Sequence, residues 1–390
     1  MPRMLQSDEA ARRLGVKPAT LYAYVSRGLL ASHRSPDGRR SLFALGDVEQ
    51  LARRARGGRR VETRLATVTT SVTQLREDGP AYRGTPAAEL ATTASFEDVA
   101  EILWCSGRSD PAPWEPVPLP ALSDVAASDR LRLGVLLCGA ADPLRSDRAP
   151  AAVLNAARRS IATMVSSLRI AAPDGPGLDD ARPRSGSIAA RLASALCRDP
   201  SSDVVAAVNA TLVLLADNEL ATSTVAVRVA ASTRADLYDA LQAGLATLAG
   251  PLHGGASEQA YDLLSGVEGA GPRALDEMLR WQGRLPGFDP TVYEALDPRF
   301  EVLRRSFDRL ASPAQREVLR TVVDLAEAHG TAPPNVDLGI AAVLYAAGMP
   351  RDAGRTIFAV ARVAGWTAHY LEELDEPPLR FRTRAVYAAG

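Results

Sequence analysis

The sequence predicts a mainly α-helical protein, on three observations. Beyond residue 60, apolar residues recur at helical spacing and β-branched alternation is rare. Before it, two short helical patterns meet at a glycine, and an Asp-Gly pair among arginines marks a hairpin. The 390 residues suffice for two or three domains and a large core, so folding needs no disulfide or metal staple.

The head comes first. Ser7 is placed to cap a helix whose apolar face is Ala10, Ala11 and Leu14, with Gly15 ending it. A second helix runs from Lys17 to Gly28, with Pro18 in its first turn and the glycine as its stop. Arg34-Ser35-Pro36-Asp37-Gly38-Arg39-Arg40 reads as a wing hairpin, and Leu45 to Ala55 resumes a helical pattern. Arg53, Arg54, Arg56, Arg59 and Arg60, interleaved with Gly57 and Gly58, read as a basic linker.

These features resemble the winged helix-turn-helix of the MerR and excisionase type. The resemblance implies a second helix in the DNA major groove and basic wing residues on phosphates. Lys17, Thr20, Tyr22 and Arg27 would then face DNA, with Arg39 and Arg40 on the wing. The alternative is a helical appendage that packs on the body or a partner, its charges merely solvated.

Charge supports a polyanion partner for this segment. The chain as a whole carries −1, but residues 1–60 hold 13 Lys+Arg against 5 Asp+Glu, +8, leaving 32 against 41, −9, for the rest. Lys17 is the single lysine. Cys105, Cys138 and Cys197 are far apart with no CxxC, which argues against a disulfide framework or zinc cluster and fits a reducing cytoplasm. No secretory apolar region follows Met1, and runs such as Ala210 to Ala216 are too short to cross a bilayer, so a soluble cytoplasmic protein with no membrane partner is expected.

In the body, Leu65 to Leu75 is expected to form a short hairpin arm, and Pro111 to Pro120 and Pro173 to Pro183 surface loops. The segment Gly250-Pro251-Leu252-His253-Gly254-Gly255-Ala256-Ser257-Glu258 sets one imidazole among small residues, which permit unusual backbone angles and remove bulk where a ligand must pass. Further segments put polar or charged groups near helix ends, in order: Tyr82-Arg83-Gly84, Ser95 to Ala100, Asp217-Asn218-Glu219, Asp297-Pro298-Arg299, Asn335-Val336-Asp337, Phe358 to Arg362 and Arg382 to Tyr387.

From about Val61 to the C-terminus this succession resembles the citrate synthase family. The resemblance implies large and small helical domains with the site in the cleft between them: 1–60 head and linker, 61–255 large domain, 256–350 small domain, 351–390 a return to the large one. It implies an acyl-CoA, acetyl or propionyl, condensed with oxaloacetate or a related 2-oxoacid, the coenzyme A thioester being a substrate and no cofactor or metal being held permanently.

By that resemblance Asp337 is the base that takes the α-proton, and His253, neutral near a helix start, holds the enol oxygen. Arg299, Arg362 and Arg382 are the carboxylate-binding forks, Arg382 reaching across a homodimer interface. Singly, each has an ordinary structural role to play: Asp337 as a helix cap, His253 as a satisfied buried ring, the arginines as surface ion-pair partners.

Two positions depart from the family. Asn218 stands where a histidine follows the aspartate, and still donates a hydrogen bond to a carboxylate. Pro290 stands where a histidine polarises the ketone, and proline has no side-chain donor and no backbone N–H. His33, His329 and His369 lie outside the family's catalytic positions. Three functional classes therefore stay open: an atypical acyltransferase, a metabolite-binding regulator that adjusts a DNA-binding head, and a non-catalytic subunit paired with a complete synthase, with assembly beyond the dimer undetermined.

Overall fold

The computed structural model describes residues 4–14, 16–26, 30–35, 41–48, 68–107, 114–120, 122, 125–168, 186–198, 200–251, 253–282, 284–288, 293 and 296–382. The chain divides into two compact units, residues 1–67 and 68–390.

The first unit runs β1 (Met4–Gln6), α1 (Ser7–Leu14), α2 (Pro18–Ser26), β2 (His33–Arg34) and β3 (Ser41–Ala44). The strands form one antiparallel sheet in the order β1-β3-β2, with Leu5 opposite Phe43 and His33 opposite Leu42. Leu5, Ala10, Ala11, Leu21, Leu30, Phe43 and Val48 make its core, with Leu14 packed against it. Ser7 is the first residue of α1 itself, and its hydroxyl lies 3.1 Å from the Tyr22 hydroxyl and 3.5 Å from the Ser41 carbonyl, which it serves as donor. Its oxygen therefore ties α1 to α2 and β3. Lys17 and Tyr22 are exposed and Thr20 is half-buried. Residues 45–48 begin a helix; Gly15, Arg27, Gly28, Arg39, Arg40 and the basic linker lie outside the described residues.

The second unit opens with a small antiparallel sheet of β4 (Thr73–Arg76), β5 (Gly79–Tyr82) and β6 (Thr85–Pro86). The expected arm thus starts at Thr73 and turns at Glu77-Asp78, later than the Leu65 to Leu75 pattern suggests, because Gly79 adopts the positive φ the turn demands. Helices follow: α3 (Ala87–Thr93), α4 (Phe96–Trp104), α5 (Ala127–Ala140), α6 (Pro150–Ser167), α7 (Ile188–Leu196), α8 (Ser202–Leu215), α9 (Thr222–Ser232), α10 (Leu237–Leu248), α11 (Ala256–Ala270), α12 (Arg273–Gln282), α13 (Pro298–Leu310), α14 (Pro313–Ala328), α15 (Val336–Ala346) and α16 (Ala353–Leu374).

Local chemistry explains many of the starts. Ser95 and Ser312 form reciprocal capping boxes with Asp98 and Gln315, and the side chains of Asp236, Asp297 and Asn335 accept first-turn N–H groups. The 22-residue α16 packs against α4, α6, α8, α9 and α10. Its Ile357, Val360, Ala364, Trp366 and Tyr370 are fully buried. Helices α11, α13 and α15 pack together beside it. Among the described residues no helix is long and apolar enough to cross a membrane.

Candidate functional site

Five chain segments supply the polar groups that gather in the second unit. The corner after α8 carries Asp217 and Asn218; the turn before α11 carries His253; the first turns of α13 and α15 carry Arg299 and Asp337; the middle of α16 carries Arg362.

Arg299 is 5% exposed and held at both ends of its fork by Asp297, Nε to Oδ1 at 3.0 Å and Nη2 to Oδ2 at 2.8 Å. Burial opposes its charge, but the Asp297 carboxylate overcomes this and raises its pKa. Its remaining nitrogen Nη1 points to Asn218 Oδ1 at 3.4 Å. Asp297 also accepts the Val336 N–H at 3.1 Å, which ties α13 to the start of α15. Asn335 caps that helix by accepting the Asp337 N–H at 2.9 Å. Asp337 is therefore in the first turn with its half-buried carboxylate, and the cap is the neighbouring asparagine.

Arg362 is 1% exposed, and its pKa is lowered, first by burial and then by Arg299, against the pull of Asp217 and the Tyr82 oxygen. Nε donates to the Leu215 carbonyl at 2.9 Å, while Nη1 has no hydrogen-bond partner among the described residues. Its guanidinium lies 4.5 Å from the Phe358 ring, which meets the His253 ring edge-on at 5.9 Å. His253 Nε2 is 2.8 Å from the hydroxyl of the fully buried Ser223. Burial, then the Arg362 cation, lowers its pKa and keeps the ring neutral near pH 7.

The glycines beside His253 make room for the chain itself. A Cβ on Gly254 would stand 2.4 Å from the Leu248 carbonyl oxygen, and one on Gly255 would stand 3.1 Å from that of Pro251. The small residues thus let the histidine turn fold back on the end of α10.

The Tyr82 hydroxyl lies 2.9 Å from the Val213 carbonyl, 3.2 Å from Leu214's and 3.3 Å from Asp217's, and fastens the corner from below. Asp217 is fully buried, and its Oδ2 accepts the Glu219 N–H at 3.1 Å and faces His369 Nε2 at 3.3 Å. Burial opposes its charge, yet His369 and Arg362 hold the carboxyl below its ordinary range.

From His369 the polar chain continues: Nδ1 is 2.9 Å from Arg228 Nη1, and Arg228 pairs with Glu373 at 2.9 Å and Glu372 at 3.0 Å. Glu372 accepts the Thr70 hydroxyl at 2.8 Å and the Ser71 N–H at 2.9 Å.

The structure thus brings His253, Arg299, Arg362 and Asn218 into one cluster, with Asp337 beside the Asp297 clamp. Arg382 is exposed, its backbone N–H donating to the Leu379 carbonyl at 3.2 Å, and among the described residues nothing joins its side chain to the cluster. Pro290 lies outside the described residues. Ser223 and His369 join the cluster with no motif to mark them, and Tyr82, part of the Tyr82-Arg83-Gly84 segment, takes a role that the segment alone does not assign. His369 follows Arg362 by seven residues, two helical turns, which puts both on one helix face and was the available signal. Among the described residues no cluster of His, Cys, Asp and Glu has the makings of a metal site.

Residues 118–384 match the family profile described as citrate synthase, C-terminal domain. The chain belongs to the citrate synthase family. Citrate synthase 2 of Bacillus subtilis is 30% identical over 350 residues, covering 83% of this chain and 94% of that one. The 2-methylcitrate synthase of Mycobacterium tuberculosis is 30% identical over 318 residues, covering 75% and 80%. The fold agrees with the Thermoplasma acidophilum citrate synthase solved with carboxymethyl coenzyme A and oxaloacetate, at a TM-score of 0.69 and 24% identity over 86% of this chain and 96% of that one. Residues 4–56 match a helix-turn-helix domain profile, so this family member carries such a domain ahead of its synthase-like body.

Proposed function

We propose that the body is an acyltransferase that joins the α-carbon of acetyl-CoA or propionyl-CoA to the ketone of oxaloacetate or a related 2-oxoacid, then hydrolyses the thioester. The observation that carries this reading is the buried Arg362, whose Nη1 has no partner among the described residues and sits in one cluster with Arg299. A buried cation with an unused donor is a costly arrangement that an anionic ligand relieves.

In this reading Asp337 takes the α-proton. His253 is neutral; with Nε2 accepting from Ser223, Nδ1–H is the donor to the thioester oxygen as it becomes an enolate. Arg299, Arg362 and Asn218 hold the oxoacid's carboxylates, and Arg382 of a second copy completes the clamp in a homodimer. Pro290 offers no donor to the ketone, and loss of one such donor costs roughly 10²- to 10³-fold in rate. The enzyme is therefore a slow member of its family or takes an oxoacid that needs less activation.

The test follows free thiol during incubation with acetyl-CoA or propionyl-CoA and oxaloacetate. Thiol release absent from an Asp337→Ala control is expected, and release equal in both proteins would refute the assignment. Deuterium exchange at the acyl methyl separately reports proton abstraction.

We further propose that the head binds DNA, on the match of residues 4–56 to a helix-turn-helix profile and the +8 charge of residues 1–60. Fluorescence anisotropy at low salt should show binding that weakens as salt rises and when Arg39 and Arg40 are replaced by Glu. No binding at low salt would exclude this role.

A further inference from the structure

His369 is fully buried on α16, and its two ring nitrogens face partners of opposite kind. Nδ1 is 2.9 Å from Arg228 Nη1, with Glu372 Oε2 beyond hydrogen-bond range at 3.8 Å, and Nε2 is 3.3 Å from Asp217 Oδ2. A guanidinium only donates, so Nδ1 must accept and the ring proton must sit on Nε2, aimed at the carboxylate. Arg228 is itself fixed, 1% exposed at its side chain and paired with Glu372 and Glu373.

The carboxylate at the other end holds a strained corner. Glu219 adopts a left-handed conformation, φ 54°, a geometry that non-glycine residues enter only at an energetic cost. Asp217 Oδ2 accepts the Glu219 N–H and so stabilises that corner, with Asn218 at its apex toward Arg299. From the far side, the Gly365 N–H donates to the Ala216 carbonyl at 3.0 Å.

We propose that His369 is a positioning residue of the oxoacid site. As the Nε2–H tautomer selected by Arg228, it locks the Asp217 carboxylate, and Asp217 in turn fixes the corner that aims Asn218 at Arg299. This rests on the reading of the cluster as an oxoacid pocket.

The experiment has two parts, both on the full chain. Nitrogen-15 NMR of ligand-free protein labelled at histidine should show one ring with a bare Nδ1 and a protonated Nε2, absent in His369→Gln. Calorimetry then measures oxaloacetate affinity for wild type, His369→Leu, His369→Gln, Asn218→Ala and the Leu/Ala double variant.

His369→Leu should weaken binding about 10-fold or more, the size of one hydrogen bond to a charged group. His369→Gln, whose amide accepts from Arg228 and donates to Asp217, should recover to within about 3-fold of wild type. In the Asn218→Ala background the leucine should add no further loss, because both changes act through one corner. If His369→Leu does not fold, His369→Asn, whose shorter amide does not span both partners, replaces it.

A protonated Nδ1, additive losses, or wild-type affinity in the leucine variant would overturn the proposal. Wild-type protein that binds no oxaloacetate while the predicted tautomer is seen would instead sink the reading of the pocket, and the positioning role with it.

Discussion

Asp297 and Arg299, two residues apart, close a two-pronged ion pair inside the protein, with side chains 4% and 6% exposed. The same carboxylate receives the Val336 N–H, so one aspartate sets a guanidinium and the approach of α15 together. Replacing Asp297 by Asn leaves a buried cation half-paired. The expected loss is about 3 kcal/mol, the usual scale for breaking one partner of a buried pair. Urea denaturation measures it, and a loss under about 1 kcal/mol would contradict the clamp.

Arg362 should behave in the opposite way. Burial already disfavours its charge, and Nη1 has no partner among the described residues, so Arg362→Met should hold or raise the melting temperature. Oxaloacetate affinity should meanwhile fall by about 10-fold or more. Thermal denaturation and calorimetry on the same preparation check both halves.

His253 makes a pH prediction. Its folded pKa lies below the ordinary 6.5, so the unfolded ring binds a proton that the folded ring resists. The stability tied to this residue is full above about pH 6.5 and is lost as pH falls through the lower folded value. His253→Gln removes that contribution. Wild type and variant should therefore show a constant difference in urea midpoint above pH 7, and wild type should lose ground below pH 6.5; parallel curves would show that the ring is not shifted.

Gly365 tolerates no side chain. A Cβ there would stand 2.2 Å from Asp217 Oδ1 and 2.6 Å from the Ala216 carbonyl oxygen, although alanine is the better helix former. Gly365→Ala should cost about 3 kcal/mol, the upper range for overpacking, and weaken oxoacid binding by displacing the corner. The melting temperature and a binding isotherm report the two effects.

Legibility in the sequence differs by residue. The fold class follows from apolar residues at helical spacing, a pattern a few residues long, and the helix starts at Ser95, Asp297 and Ser312 rest on hydrogen bonds just as local. The motifs of His253, Arg299 and Arg362, with the family resemblance, point to one cleft, but not to what holds each side chain there: Arg362 meets the Leu215 carbonyl across 147 positions. His369 lies outside the family's catalytic positions, and nothing local marks a ring as buried between a cation and an anion, since its partner Asp217 is 152 positions away. Ser7 reads as a cap, because a serine ahead of an apolar stripe looks the same whether its oxygen faces its own helix or, as here, Tyr22 and Ser41. The strand β1 has no signature in the sequence, because three residues are too few to display alternation.

Helix α16 sets Arg362, Gly365, His369 and Glu372 along one side, spanning about 15 Å at 1.5 Å per residue. It works as a graduated rod with each mark facing a different mate. Deleting a single residue between Phe358 and Arg362 would rotate all the later marks by about 100° relative to the preceding part of the rod, so the guanidinium, the close backbone contact, the imidazole and the carboxylate would lose their seats at one stroke.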